Sequence, residues 1–204
     1  MADIFINFRS DDTAAAAALL DSELSRRFGS AQIFLAKRSI KPGRKFSEAL
    51  LGAVRNCSVL LALIGPNWLA GTTTKGQRLI DDESDWVRRE IIEALTNEVH
   101  IVPVVIGRRT PSLRTRDLPD ALTALAALQN RRIDLDDPTP GLTRLGDDLA
   151  ELIPHLVDQG RPEIRPGRDS PTIGTIIYGA NGPIHTGSGD QHIRYEGYPP
   201  DGGR

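Results

Sequence analysis

The sequence predicts an α/β protein: a five-stranded parallel sheet wound on both faces by helices, in the flavodoxin-like order 2-1-3-4-5, followed by a Gly/Pro-rich tail. Three observations carry that expectation. Short apolar runs alternate with stretches of helical period along residues 1–159, the pattern of repeated βαβ units. Residues 58–64 (SVLLALI) are apolar at nearly every position, as in a strand covered on both faces. Right-handed crossovers between parallel neighbours then leave few doubly wound orders, of which 2-1-3-4-5 is the commonest for five strands.

Taken in order, residues 3–8 (DIFINF) are a β-branched and aromatic run too short for a helix. Residues 11–28 follow as an amphipathic helix, with Leu20, Leu24 and Phe28 four apart and Gly29 as the stop. Residues 32–36 (QIFLA) read as the second strand, and Phe46, Leu50 and Val54 mark the second helix. The third strand, 58–64, is closed by Gly65 and Pro66. Residues 84–97 read as helix and 99–106 (VHIVPVVI) as the fourth strand, where Pro103 calls for a bulge or a less central position. An Ala-rich helix at 118–128, a short strand at 132–135 and a last helix at 142–156 complete the body.

Gly and Pro supply 16 of the 45 residues from 160 to 204, so the chain divides into a body, 1–159, and a tail that holds too few apolar side chains for a core of its own. Within the tail, 172–178 (TIGTIIY) and 191–195 (QHIRY) are β-prone. They are expected to form a hairpin, or an edge strand for a protein partner, with residues 179–183 in the connection.

Composition excludes several classes. The 204 residues carry a net charge of −2, and the tail balances five Arg against five Asp and Glu, so neither nucleic acid nor an anionic membrane is an expected partner. One cysteine, Cys57, rules out an intrachain disulfide framework and a multi-Cys zinc site. The chain opens without a basic-then-apolar leader and holds no apolar stretch near the ~20 residues of a membrane span. A cytoplasmic protein is expected. There is no GxGxxG after the first strand, residues 71–77 fail the Walker A pattern at Gln77, the four histidines are scattered, and no GxSxG occurs, so no metal site is expected.

In a doubly wound sheet, ligands bind beyond the carboxyl ends of the strands where the winding reverses. Here that is the space between Phe8, Arg9 and Ser10 and residues 65–68, which include Trp68, with residues 37–45 as one rim. Near it, Val87, Ile91 and Leu95 form an apolar stripe, and Glu90 borders that stripe, four residues from Trp86. A carboxylate so placed loses solvent, and its pKa rises unless something pairs with it. Basic residues fill 37–45 and four acids stand in 81–85, which suggests a head-to-tail contact between copies, able to build an open filament.

The body resembles a Toll/interleukin-1-receptor (TIR) domain, of the bacterial type that cleaves NAD+. The opening DIFINFR is similar to that family's first-strand box, Phe34 and the loop holding Ile40, Lys41, Pro42 and Gly43 resemble its second strand and BB loop, and DWVRREI from Asp85 resembles its Trp-x-x-x-Glu helix. Residues 101–104 (IVPV) resemble its fourth strand. Asn7 stands where serine is usual, and Val87 where many adaptors carry cysteine. The resemblance implies an NAD+ glycohydrolase or cyclase that breaks the nicotinamide–ribose bond, with NAD+ as substrate and no cofactor. Carried over by motif, Glu90 is the catalytic carboxylate, Phe8, Arg9, Phe46 and Trp86 line the substrate, and Lys37, Arg38, Lys41, Pro42, Gly43, Arg44 and Lys45 form the assembly loop. It also implies activation by self-assembly into homo-oligomers or filaments, and a place in phage-defence or stress signalling. The alternatives are a non-catalytic adaptor that only assembles, and a nucleoside deoxyribosyltransferase-like enzyme using a similar glutamate.

Overall fold

The computed structural model describes residues 2–36 and 46–160, with the backbone alone at Phe46, and the backbone of 177–179 and 182–184. The chain divides into two units, Met1–Pro162 and Glu163–Arg204. In the first, strands β1 (Ile4–Asn7), β2 (Ile33–Phe34), β3 (Val59–Ile64), β4 (His100–Ile106) and β5 (Arg131–Ile133) form one sheet in the order β2-β1-β3-β4-β5. Every pairing in it is parallel. This is the doubly wound 2-1-3-4-5 order that the pattern of runs predicts.

Alternation along the strands sorts side chains onto two faces. Ile4, Ile6, Leu61, Leu63 and Val104 pack with helices α1 (Ser10–Phe28) and α4 (Thr139–Leu152). Phe5, Leu60, Ala62 and Ile64 pack with α2 (Phe46–Arg55) and α3 (Trp86–Thr96). All six residues of β3 are buried, because this strand has a neighbour on each side and helices on both faces. Phe5 and Phe34 stack across β1 and β2 with ring centroids 5.0 Å apart. Among the described residues, no helix is long and apolar enough to cross a membrane.

Pro103 fits because β5 pairs only with Val104–Ile106, so the earlier part of β4 is an edge on that side and needs no donor there. Two expectations change. Residues 118–128 do not form an α-helix: a 3-10 helix spans Asp120–Ala127, and its buried Leu122 and Leu125 stand three apart, the spacing that aligns side chains at three residues per turn. The last helix starts earlier and ends earlier than 142–156, since Pro140 sits in its first turn, where a missing N–H costs nothing, and Pro154 follows its end. In the second unit, β6 (Ile177–Gly179) pairs antiparallel with β7 (Gly182–Ile184). The second strand thus falls where the sequence reading put the connection, and residues 191–195 lie outside the described residues.

Candidate active site

The site forms where the end of β1 meets the start of α3. Val87, Ile91 and Ala94 are the buried stripe that seats α3 on the sheet. Glu90 lies three residues from Val87 and next to Ile91, so docking that stripe carries the carboxyl inward with it. It is 7% exposed. Alternation along β1 points Ile4 and Ile6 to the α1/α4 face and leaves Asn7, completely buried, on the α3 face. The Asn7 amide Nδ2 donates to Glu90 Oε2 at 2.6 Å and to the Val87 carbonyl at 3.2 Å. Burial is the main force on Glu90 and raises its pKa to about 8; the Asn7 hydrogen bond opposes this, and the charge of Asp85 adds to it.

Arg9 and Asp85 close the site from the side. Arg9 Nη1 and Nη2 donate to Asp85 Oδ1 and Oδ2 at 3.1 and 3.0 Å, a two-pronged pair with both side chains under a tenth exposed. This clasp ties the loop after β1 to the residue that precedes α3. Asp85 stands at the N-cap position, yet its carboxylate serves Arg9 and makes no capping bond to the helix. Arg9 therefore points to its own chain here, with Nε buried and without a hydrogen bond among the described residues.

The remaining sequence candidates separate. Phe8 is half-buried and packs with the α1/α4 core, so the strand's alternation turns its ring to the face opposite Glu90. Trp86 packs with the α2/α3 core, and the Arg89 guanidinium lies 4.2 Å over its ring. Phe46 begins α2, with its side chain outside the described residues. Lys37, Arg38, Lys41, Pro42, Gly43, Arg44 and Lys45 also lie outside them. Trp68 is 1% exposed and belongs to the core. Its loop is instead held by Asp12, whose Oδ1 accepts from the Asn67 N–H at 2.9 Å. Gly65 leaves room for this contact, because a Cβ there would lie 2.3 Å from Asp12 Oδ2 and displace the side chain.

The acidic run 81–85 is less open than its composition suggests. Arg78 holds Asp81 through two hydrogen bonds, Asp82 accepts from the Ser84 N–H and Oγ, and Arg9 holds Asp85, while Glu83 is exposed. The residue that sequence reasoning passed over is Asn7. Its signal was an amide interrupting an apolar strand, which burial alone would reject without a partner. Among the described residues no group of three or more His, Cys, Asp or Glu could hold a metal ion. What the arrangement offers chemically is one acid, nearly dry, oriented by an amide and able to change protonation near neutral pH.

Comparison with known proteins gives a consistent family signal. The family profile described as TIR domain matches residues 4–145. The chain is 30% identical over 105 residues to the NAD(+) hydrolase sarm1 of Drosophila melanogaster, covering 50% of this chain and 7% of that much longer protein. Among solved structures, the TIR domains of the activated Roq1 resistosome that directly recognizes the pathogen effector XopQ superpose with a TM-score of 0.54 at 17% identity. That match covers 73% of this chain and 99% of the other, and it speaks for the fold.

Proposed function

This chain belongs to the TIR-domain family, and from that membership we propose that it cleaves NAD+ at the bond between nicotinamide and ribose. The observation that carries the reading is Glu90: a buried carboxyl with no cation paired to it among the described residues, at the carboxyl end of β1, on the helix that matches the family's Trp-x-x-x-Glu motif. The named relative's hydrolase activity supports the substrate, although the chain spans only a small part of that protein.

The chemistry needs no strong nucleophile. The C1′–N bond breaks with its electron pair passing to the nicotinamide nitrogen, which leaves neutral, and C1′ becomes oxocarbenium-like. An ionised Glu90 stabilises that charge in a site of low dielectric and can accept a ribose hydroxyl. Water then adds to C1′ and releases a proton, giving ADP-ribose; capture by the adenine end gives a cyclic product. The pKa of Glu90 falls when a cationic pyridinium arrives, so substrate binding itself favours the ionised form. Activation by self-assembly through residues 37–45, and service in defence signalling, belong to the same reading.

Nicotinamide release from NAD+, followed at several protein concentrations, tests it. Wild-type protein is expected to turn over with a specific activity that rises with concentration, and Glu90→Ala to lose about 10³-fold or more while keeping its circular dichroism. Equal turnover by the two proteins removes Glu90 from the reaction. One observation favours the adaptor instead: both terminal nitrogens of Arg9 are held by Asp85 and one oxygen of Glu90 by Asn7, contacts that also serve packing. Concentration-dependent assembly with no nicotinamide at any concentration would establish that alternative.

A further inference from the structure

The amide of Asn7 joins β1 to α3 and reaches the Glu90 carboxyl. It is completely buried at the last position of β1. Its orientation is fixed, because the Val87 carbonyl can only accept, so the atom 3.2 Å away must be the NH2 group. The same group's second proton then faces Glu90 Oε2 at 2.6 Å. Glu90 Oε2 is thereby met as an acceptor, and a donor aimed at a carboxyl favours its ionised form. The cost of this orientation is visible on the other side: Asn7 Oδ1 is buried with no hydrogen-bond partner among the described residues. An unsatisfied buried polar atom costs about 1–3 kcal/mol. The amide is held in the less satisfied arrangement by what it donates to.

We infer that Asn7 is a positioning residue, which aims the Glu90 carboxyl at the sugar and holds it in the ionisable, hydrogen-bond-accepting form. The inference rests on the NAD+ reading for its sugar and on the geometry alone for its carboxyl. Oε2 is occupied by the amide, and Oε1 has no hydrogen bond within the described residues, so Oε1 is the oxygen presented to the ribose. Other charges bear on the same carboxyl. Asp85, just before α3, repels it, and Arg9 from the loop after β1 offsets Asp85. Arg88 reaches back to the Ile80 carbonyl, Arg89 covers Trp86, and Arg55 on α2 pairs with Glu93, so none of these three pairs with Glu90. Among the described residues, Asn7 is the group that donates to it.

The experiment is a 13C NMR titration of the Glu90 side-chain carboxyl, assigned with Glu90→Gln, in wild type, Asn7→Leu and Asn7→Ser. Leucine keeps the volume and removes both donors; serine keeps one donor but is too short to reach both Val87 O and Glu90. Asn7→Leu is expected to raise the titration midpoint by about one unit. The alkaline rise of the kcat/KM profile for nicotinamide release should move by the same amount, with a roughly tenfold loss at pH 7 recovered in part at pH 9. Asn7→Ser should shift both by less, and it carries the test alone if Asn7→Leu does not fold. An unmoved Glu90 midpoint overturns the inference, whatever the activity. A midpoint that moves in a protein releasing no nicotinamide at any pH upholds the role of Asn7 toward the carboxyl and refutes the NAD+ reading.

Discussion

On the α1/α4 face of the sheet, Arg27 reaches from the last turn of α1 to Asp158 at 2.6 Å and Asp147 at 2.6 Å, and donates to the Thr143 carbonyl. On the α2/α3 face, Glu90 sits deeper than Arg27 and meets one neutral amide. Both groups have pKa values above their ordinary ones, for opposite reasons. Asp158 raises that of Arg27 by favouring its charged form, whereas burial raises that of Glu90 by penalising its charged form. The same chain thus supplies counter-ions where a half-buried charge holds elements together and, among the described residues, sets none against Glu90 at the carboxyl end of β1. The difference teaches which polar group serves the fold and which is carried at the fold's expense.

Glu90→Gln tests that contrast most severely. Nicotinamide release should drop by about 10³-fold or more, since a neutral amide cannot stabilise the sugar cation. Stability should move the other way. Glu90 has a folded pKa of about 8 against an ordinary 4.5. Its contribution is therefore intact below pH 4.5 and is lost as the pH climbs toward 8. Urea denaturation should find Glu90→Gln more stable than wild type by on the order of a few kcal/mol at pH 8, with the gap closing below pH 5. A variant less stable at every pH would mean that Glu90 serves packing, as Arg27 does.

Arg27→Met sharpens the other side. It strips Asp158 of its guanidinium in a contact where both side chains are mostly covered, and should cost about 3 kcal/mol in urea denaturation at pH 7. Gly146 shows how closely this clamp is fitted, as a Cβ there would lie 2.3 Å from Arg27 Nη1. Nicotinamide release per folded molecule should stay within a factor of two of wild type. A specific loss of turnover would show that the two faces are coupled.

Much of this contrast was legible beforehand, and the rest was not for a physical reason. Strand order and the buried β3 follow from apolar runs and crossover handedness, which are local patterns plus one general rule. Glu90 was legible because a helix of fixed pitch places a residue from its neighbours' spacing. Its partner Asn7 lies 83 positions away, and the Arg9–Asp85 clasp spans 76, so only the folded register brings them together. Phe8 shows the same limit in reverse. It adjoins the site in sequence, but the strand's alternation sends its ring to the other core. The change from α-helix to 3-10 at Asp120–Ala127 arises from a spacing of three between buried leucines in a segment too short for periodicity to decide.

Asp85→Asn produces the smallest expected effect and probes the border between the two treatments of charge. Asp85 belongs to a paired site through Arg9, yet its negative charge also bears on Glu90. Asparagine keeps an acceptor for one Arg9 nitrogen and removes the charge. Glu90 then loses a like-charged neighbour and gains an uncompensated guanidinium nearby, and both changes favour its ionised form. The rise of kcat/KM with pH should therefore begin lower, by about one unit, the direction opposite to that expected for Asn7→Leu. Measuring the two profiles side by side separates their causes, charge in one and hydrogen bonding in the other. If Asp85→Asn moved the profile upward, the clasp would be acting on the position of α3, and the repulsion between Asp85 and Glu90 would not govern the acid.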